Sequence, residues 1–335
     1  MEWADRLSGN SVLVTGASGF IGGHLCRRLT ACGARVHAVS RGSQRSDSEH
    51  LSWWQADCGD SSEIRELFRA VRPQIVFHLA SHVAGARELD VVLPTFSGNL
   101  ASTVHLLTAA AEVGCQRIVL AGSSEEPLGF NETAFPCSPY AAAKWASSIY
   151  GRMFHQLFQL PVVMPRIFMT YGPDQKDVHK LVPYVIRRLL RGEVPRLSSG
   201  RRQADWIYVG DVVEGLLRAA VVHGIEGCGF DLGSGSLISV REIVGQITEI
   251  VDGSVEPVFD ASLDRPFEQE RAADPSFLST KLGYRAGTTL NQGLESTVAW
   301  YRQQLEARAE AIRGVGIGTN SSLAFAEHVP DQNQA

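Results

Sequence analysis

The fold class predicted for this chain is α/β: a doubly wound parallel sheet with a smaller C-terminal α+β domain. Three observations predict it. Short, almost continuously apolar runs alternate with helical patterns through the first half of the 335 residues, the rhythm of parallel strands covered on both faces. The first strand-to-helix junction carries glycines at 16, 19 and 22, the positions where a tight turn opens a helix in such folds. Near residue 170 the alternation gives way to longer helices.

The elements follow in order. "SVLVTG" (11–16) is a buried strand, and "FIGGHLCRRLTACG" (20–33) has helical spacing closed by glycine. "ARVHAVSR" (34–41) is the second strand and "SSEIRELFRAV" (61–71) a serine-capped helix. "QIVFHLAS" (74–81) is the third strand, followed by a long helix around 97–113. "QRIVLAGSS" (116–124), the helix "PYAAAKWASSIYGRMFHQL" (139–157) and the strand "PVVMPRIF" (161–168) complete the first half. Beyond it, "KLVPYVIRRLLRG", "GDVVEGLLRAAVVHG", "SVREIVGQITEIVDG" and "LNQGLESTVAWYRQQLEARAEAI" read as helices, with "GFDLGSG" a short strand. Right-handed crossovers make the first half a doubly wound sheet. The expected organisation is a dinucleotide-binding domain over 1–170 and a mainly substrate-binding domain over 171–310. A segment near 206–235 rejoins the first sheet, and 311–335 is a mobile tail.

Composition limits the alternatives. With 44% hydrophobic and 20% charged residues, the chain has ordinary soluble composition and enough length for a large core. A net charge of −5 argues against a nucleic-acid partner, and Arg187, Arg188 and Arg191 read as a solvated helix face. Six scattered cysteines form no C-x-x-C pair, so neither a disulfide framework nor a metal site is expected. The acidic, polar opening "MEWADRLSGN" is unlike a secretory signal, and no apolar run is long enough to span a bilayer. The expectation is a cytoplasmic protein without membrane contact.

At the glycine junction, the absence of side chains at Gly16 and Gly19 lets a pyrophosphate approach the first amides of the helix. The helix N-terminus meets it with free N–H groups and a partial positive charge. Gly22, one turn on, allows close packing on the sheet. Where an acidic residue at the end of the second strand would favour NAD, this chain has Ser40 and Arg41, with Arg45 nearby. A guanidinium pairs with a 2′-phosphate, so NADP is expected, with NAD as the alternative. "YAAAK" sets Tyr140 and Lys144 four residues apart, on one helix face. An ammonium there is expected to lower the phenol's pKa and make it an acid/base near neutrality.

These motifs together resemble the extended short-chain dehydrogenase/reductase family of nucleotide-sugar epimerases, dehydratases and 4-ketoreductases, built on the Rossmann fold. The resemblance covers about residues 11–305 and rests on "TGASGFIG", "FHLAS", "NLASTVHLL", "AGSSEE", "PYAAAK", "RIFMTYGP", "DWIYVGDVV" and "RPFEQERAAD". It implies cofactor contacts from Gly16, Ser18, Gly19, Phe20, Ile21 and Gly22, from Ser40, Arg41 and Asp57, and from Leu79, Ala80, Ser81 and Asn99. It also implies that Tyr140 exchanges a proton with a sugar oxygen, that Lys144 tunes it and binds nicotinamide ribose, and that a serine holds the same oxygen. Counting from Arg117 selects Ser123; counting back from Gly129 selects Ser124. Ser123 is taken as catalytic, with Ser124 at the substrate.

Glu125, two residues on, matches a glutamate that acts near C5 in dehydratases and decarboxylases, while "GSSEE" also resembles reductases of 4-keto sugars. Two departures stand out: Met169 replaces a substrate-binding asparagine, and Ala204 replaces an arginine before the aspartate. Arg202 and the late arginine Arg265 are the remaining candidates for the substrate diphosphate. The preferred expectation is reduction of a 4-keto-6-deoxy nucleotide-sugar in deoxysugar biosynthesis. The alternative is an epimerase or dehydratase that retains its dinucleotide with no net redox. A dinucleotide-sensing regulator is disfavoured by the Tyr-Lys pair. Homodimerisation through the helices near 97–113 and 139–157 is expected from the resemblance alone.

Overall fold

The computed structural model describes residues 2–45, 48–83, 86–127, 135–253, 255–264 and 269–315. A short helix α1 (Glu2–Asp5) leads into β1 (Ser11–Thr15), α2 (Phe20–Ala31), β2 (Arg35–Ser40) and β3 (Leu51–Gln55). Helix α3 (Ser61–Val71) and β4 (Ile75–His78) follow. Then α4 (Val92–Thr95) passes through a π-turn at Phe96–Ala101 into α5 (Ser102–Val113). Strands β5 (Arg117–Leu120) and β6 (Gly122–Ser123) precede α6 (Pro139–Phe158) and β7 (Val162–Ile167).

The main sheet runs β3-β2-β1-β4-β5-β7, with a further strand, β11 (Gly229–Leu232), at its edge and β6 paired to β7. Every pairing in it is parallel. The strand order reverses direction between β1 and β4, which opens a crevice at their carboxyl ends. Along β1, Val12 and Val14 face a core shared with Leu25 and Leu29 of α2, while Leu13 faces Ile64, Phe68, Leu106 and Ile118 on the other side. Burial on both faces is why these strands read as unbroken apolar runs. β3 is different. Its "LSWWQ" is half-exposed at the sheet edge, so it carries no apolar run, and the sequence reading passed over it.

The second half contributes β8 (Met169–Tyr171), α7 (Leu181–Leu190), β9 (Arg196–Leu197), β10 (Gln203–Tyr208) and α8 (Val209–Val221). After β11 come β12 (Leu237–Ser239), α9 (Val240–Val251), β13 (Val258–Phe259), α10 (Ser276–Lys281) and α11 (Leu290–Val315). β10 pairs with β8 and β12 in a small sheet, and β13 with β9. A third core gathers Tyr171, Val185, Ile186, Ile243, Ile247, Leu294 and Val298. Helix α8 packs instead on the first domain, where Leu216 and Leu217 join the Val12–Leu25 core, and Gly229 of β11 lies beside Met164 of β7. Trp206 to Tyr208 belong to the small sheet, not the large one. The boundary drawn at residue 310 falls inside α11, and residues 316–335 of the anticipated tail lie outside the described residues. No helix among the described residues is long and apolar enough to cross a membrane.

Candidate active site

The glycine turn sits at the carboxyl end of β1, against the crevice. Its three glycines have three different reasons. Gly16 has φ +70°, and a Cβ there would meet the backbone of Leu79 and Ala80 at 2.7–2.9 Å, so the turn closes against the chain leaving β4. A Cβ on Gly22 would lie 2.1 Å from Gly16 O. Its smoothness therefore serves helix-to-turn packing rather than the helix-to-sheet packing expected from the sequence. Gly19 has only Gly16 O within 4 Å of such a carbon, at 3.1 Å, so it leaves space for a ligand.

Helix α2 has no side-chain cap and no acidic residue in its first turn. By contrast, α3 is capped by Asp60, α6 by Ser138 and α9 by a Ser239–Glu242 capping box. Uncapped amides over a glycine cradle fit a dinucleotide diphosphate. Ser18 is exposed and Phe20 and Ile21 half-buried beside that turn. At the far end of β2, Ser40 is buried and donates to Gly42 O at 2.5 Å, while Arg41 and Asp57 are exposed. Asp57 Oδ1 accepts from Gly59 N–H at 2.8 Å.

The second cluster lies where β4, β6 and α6 converge. Ser138 caps α6 and sets Tyr140 and Lys144 on its first turns. The hydroxyls of Ser123 and Ser81 both lie within hydrogen-bonding reach of the Tyr140 phenol. Ser123 is buried, its Oγ accepting from Glu125 N–H at 3.2 Å. Ser124 is held differently: its N–H donates to Ile167 O, and its carbonyl accepts from Arg271 Nε at 3.2 Å. Asn99, 1% exposed inside the π-turn, holds the neighbouring loop through Ser81 Oγ at 3.0 Å and His82 N–H at 2.6 Å. Such turns bring side chains to functional sites. Lys144 is buried and donates to Ala121 O at 2.9 Å. Glu125 is half-buried, and its Oε2 accepts from Ser138 Oγ at 3.3 Å.

Electrostatics overturn one expectation. Burial pushes the Tyr140 phenol well above its ordinary value, and the nearby carboxylates Glu125 and Glu126 push the same way. The sequence reading had the ammonium lowering it. Lys144 Nζ stands 5.9 Å from the phenol ring and is itself lowered to about 8 by burial, against the pull of Glu126. In the ligand-free site, desolvation outweighs the cation.

Arg202 is half-buried where the chain enters β10, its carbonyl accepting from Val240 N–H. Arg265 lies outside the described residues, as does Gly129. Ala204 is buried in the second-domain core, and Met169 pairs with Trp206 beside it. The sequence reading missed Glu126, Arg166, Asp231 and Arg271, which form an ionic group behind Ser123. The doublet "EE" and the second arginine of "RPFEQERAAD" were its visible traces. Among the described residues, no group of three or more His, Cys, Asp or Glu is placed to hold a metal ion.

The NAD dependent epimerase/dehydratase family matches residues 12–226. A UDP-glucose 4-epimerase from Mycolicibacterium smegmatis is 30% identical over 314 residues, 87% of this chain and 98% of that protein. A dTDP-glucose 4,6-dehydratase from Xanthomonas campestris is 29% identical over 86% of this chain and 92% of its own. The crystal structure of UDP-glucose 4-epimerase from Thermotoga maritima with UDP-glucose superposes with a TM-score of 0.80 at 26% identity, covering 88% of this chain and 99% of that one.

Proposed function

The chain belongs to the NAD-dependent epimerase/dehydratase family, the extended short-chain dehydrogenase/reductases that act on nucleotide-sugars, and from that premise we propose that it epimerises a nucleoside-diphosphate-sugar at C4 with no net redox. The observation that carries the proposal is the Tyr140 phenol within hydrogen-bonding reach of Ser123 and Ser81, with Lys144 Nζ 5.9 Å from its ring, in a chain whose relatives include a UDP-glucose 4-epimerase. When bound, NAD supplies a reversible hydride acceptor and a positive charge. Gly19 and the first amides of α2 would hold its diphosphate, in a turn whose shape Gly16 and Gly22 allow. Tyr140 Oη removes the proton from the sugar 4-hydroxyl and later returns it to the 4-oxygen, which Ser123 Oγ steadies by a hydrogen bond. Between the two steps the 4-keto sugar presents its opposite face. Lys144 keeps a positive charge beneath this exchange.

Dehydration is the second reading. Loss of water needs a base at C5 and an acid at the departing hydroxyl. Among the described residues near Tyr140, Glu125 is a half-exposed carboxylate, while Glu126 is buried and already hydrogen-bonded on both oxygens. One carboxylate suits epimerisation better than elimination. Net reduction by NADPH, the preferred expectation from sequence, is supported less well than these, because the family and the relatives named above are epimerases and dehydratases. NADP stays as the competing ligand through Arg41, with no carboxylate at the end of β2 to repel a 2′-phosphate.

The test is incubation of the purified chain with UDP-glucose, UDP-N-acetylglucosamine, dTDP-glucose and GDP-mannose, without added reductant. An isomer of unchanged mass supports epimerisation, and a product lighter by one water supports dehydration. Turnover only of 4-keto sugars, with stoichiometric NADPH loss, overturns both. Dinucleotide released on denaturation and identified by chromatography distinguishes NAD from NADP. We also propose a homodimer. Leu89, Leu93 and Phe96 before and within the π-turn, and Leu157 and Phe158 at the end of α6, are more than half exposed, which suits a second copy of the same face. Light scattering that gives a monomer at working concentration overturns that assignment.

A further inference from the structure

The turn that follows β6 closes on a side chain outside the Tyr140–Ser123–Lys144 set. Glu126 N–H donates to Ser123 O at 3.1 Å, and Glu126 Oε1 accepts from Ser123 N–H at 2.7 Å. Both backbone polar groups of the serine are thus held by one residue. The other carboxylate oxygen, Oε2, accepts from Ser148 Oγ of α6 at 2.8 Å. With both oxygens accepting and the residue 3% exposed, the arrangement is that of an ionised carboxylate. Gly122 makes room for it: a Cβ there would lie 2.5 Å from Glu126 Oε1.

The charges around it balance the same way. Arg166 of β7 donates Nε to Asp231 of β11 at 2.6 Å, and Arg271 donates Nη1 to the same aspartate at 2.9 Å. Two guanidinium groups share one aspartate, and Glu126 supplies the second negative charge. The titratable groups facing Glu126 are Tyr140 and Lys144 of α6, Arg166 of β7 and Arg271 of the segment after β13. Glu125 is its neighbour in the turn, and His78 of β4 faces Lys144 from the other side. Burial raises the Glu126 carboxyl, opposed by its two hydrogen bonds and by Arg166 and Lys144.

We propose that Glu126 is a positioning residue for this site: a buried, ionised carboxylate that locks the backbone of Ser123 beside Tyr140 and holds Lys144 in its protonated form. It rests on the reading of Tyr140, Ser123 and Lys144 as the reacting groups. The carboxylate acts through the serine amide and through its charge, and it does not touch substrate.

The experiment compares wild type with Glu126→Gln, Glu126→Asp and Ser148→Ala, measuring kcat, KM and the pH profile on the best nucleotide-sugar substrate. Competitive acetylation of Lys144, followed by mass spectrometry, reports the lysine's titration without turnover. Glu126→Gln keeps the hydrogen bonds and loses the charge. Its alkaline limb and its Lys144 titration are expected to move down by about one pH unit, with kcat at pH 8 falling about fivefold and KM unchanged. Ser148→Ala keeps the charge and leaves the alkaline limb in place. Glu126→Asp keeps the charge but withdraws it from Ser123, lowering kcat without moving the limb. A Glu126→Gln enzyme with the wild-type limb and titration overturns the proposal, and so does Ser148→Ala reproducing the shift. Should Glu126→Gln fail to fold, a wild-type kcat in Glu126→Asp overturns it instead. Tyr140→Phe is the control for the underlying reading. Turnover surviving in it refutes the site assignment, whereas lost turnover with an unmoved Lys144 titration in Glu126→Gln refutes the role of Glu126 alone.

Discussion

Alanine placed in turn at Gly22, Gly19 and Gly23 separates two jobs that the glycine motif combines. At Gly22 the new carbon would stand 2.1 Å from Gly16 O and 2.9 Å from Gly16 C and Ala17 Cα. All three neighbours are backbone, so no side chain can swing aside. The start of α2 must move by about 1 Å against the turn, at a cost of about 1–3 kcal/mol for overpacking. Alanine's better helix propensity returns at most about 1 kcal/mol. At Gly19 the nearest atom is 3.1 Å away, and the cost without ligand is about 1 kcal/mol or less, chiefly from a poorer N-cap. At Gly23 the contacts are 3.8 Å, and alanine is neutral or stabilising. The assay is urea unfolding with and without NAD, with affinity from calorimetry. Wild type at a hundredfold excess over its Kd gains about 2.7 kcal/mol from the ligand. Gly22→Ala loses stability and most of that gain, Gly19→Ala loses chiefly the gain, and Gly23→Ala loses neither. Wild-type NAD affinity in Gly19→Ala, or undiminished ligand-free stability in Gly22→Ala, refutes the assignment of separate roles.

Tyr140→Phe is expected to lower kcat by about 10²–10⁴-fold, the range for a lost acid/base group. Its ligand-free melting temperature should hold within a few degrees, since the phenol gives up only contacts to Ser123 and Ser81. Asp205 is 1% exposed and accepts from the N–H groups of Ser234, Gly235 and Ala273 and from Ser234 Oγ. Asp205→Asn turns amide hydrogens toward donors and should cost about 2–4 kcal/mol by chemical denaturation. His78 is buried, holds Thr15 Oγ1 through Nδ1 at 2.8 Å, and is lowered to about 3 by burial first and then by Lys144. The unfolded chain therefore binds a proton between about pH 6.5 and 3 that the folded chain does not, so stability falls as pH falls through that window. The slope at pH 5.5 should be about one proton shallower in His78→Gln.

The strands of the first domain were legible because each is buried on both faces and so is written as an apolar run. β3 was not, because an edge strand with half-exposed tryptophans carries neither an unbroken run nor a clean alternation. The glycine turn and the Tyr140–Lys144 face could be read from spacing, since helical and turn geometry convert sequence distance directly into proximity. What spacing could not supply was the environment. The ammonium four residues from Tyr140 looked sufficient to acidify it, but desolvation depends on β4, β6 and α6 closing around the phenol, which no local pattern reports. Glu126 escaped for a related reason. Its partner Ser148 is distant in sequence, Arg271 is farther still, and its neighbour Glu125 occupied the motif position. The family resemblance drew attention to Arg265 and away from Arg271, which the fold brings to Ser124.

The direction of the Tyr140 shift also bears on how the reaction starts. A phenol held above its ordinary value is a competent proton donor and a poor base. A reductase, which begins by protonating a ketone oxygen, can use it as it stands. An epimerase begins by removing a proton from a hydroxyl, and for that the phenolate must become accessible near neutral pH. Among the described residues, Lys144 is the cation that α6 sets beside the phenol, and it is itself lowered to about 8 by burial. Glu126 restores part of the lysine's charge but pushes the phenol the wrong way. When bound, oxidised nicotinamide would add positive charge beside the phenol. A site built in this way works as an epimerase only while the oxidised dinucleotide stays bound. Tight retention of NAD through purification, with turnover of an unreduced nucleotide-sugar lost when the bound dinucleotide is reduced chemically and regained on reoxidation, is the expected result. A chain that purifies empty and binds NADPH more tightly than NAD would return the argument to net reduction.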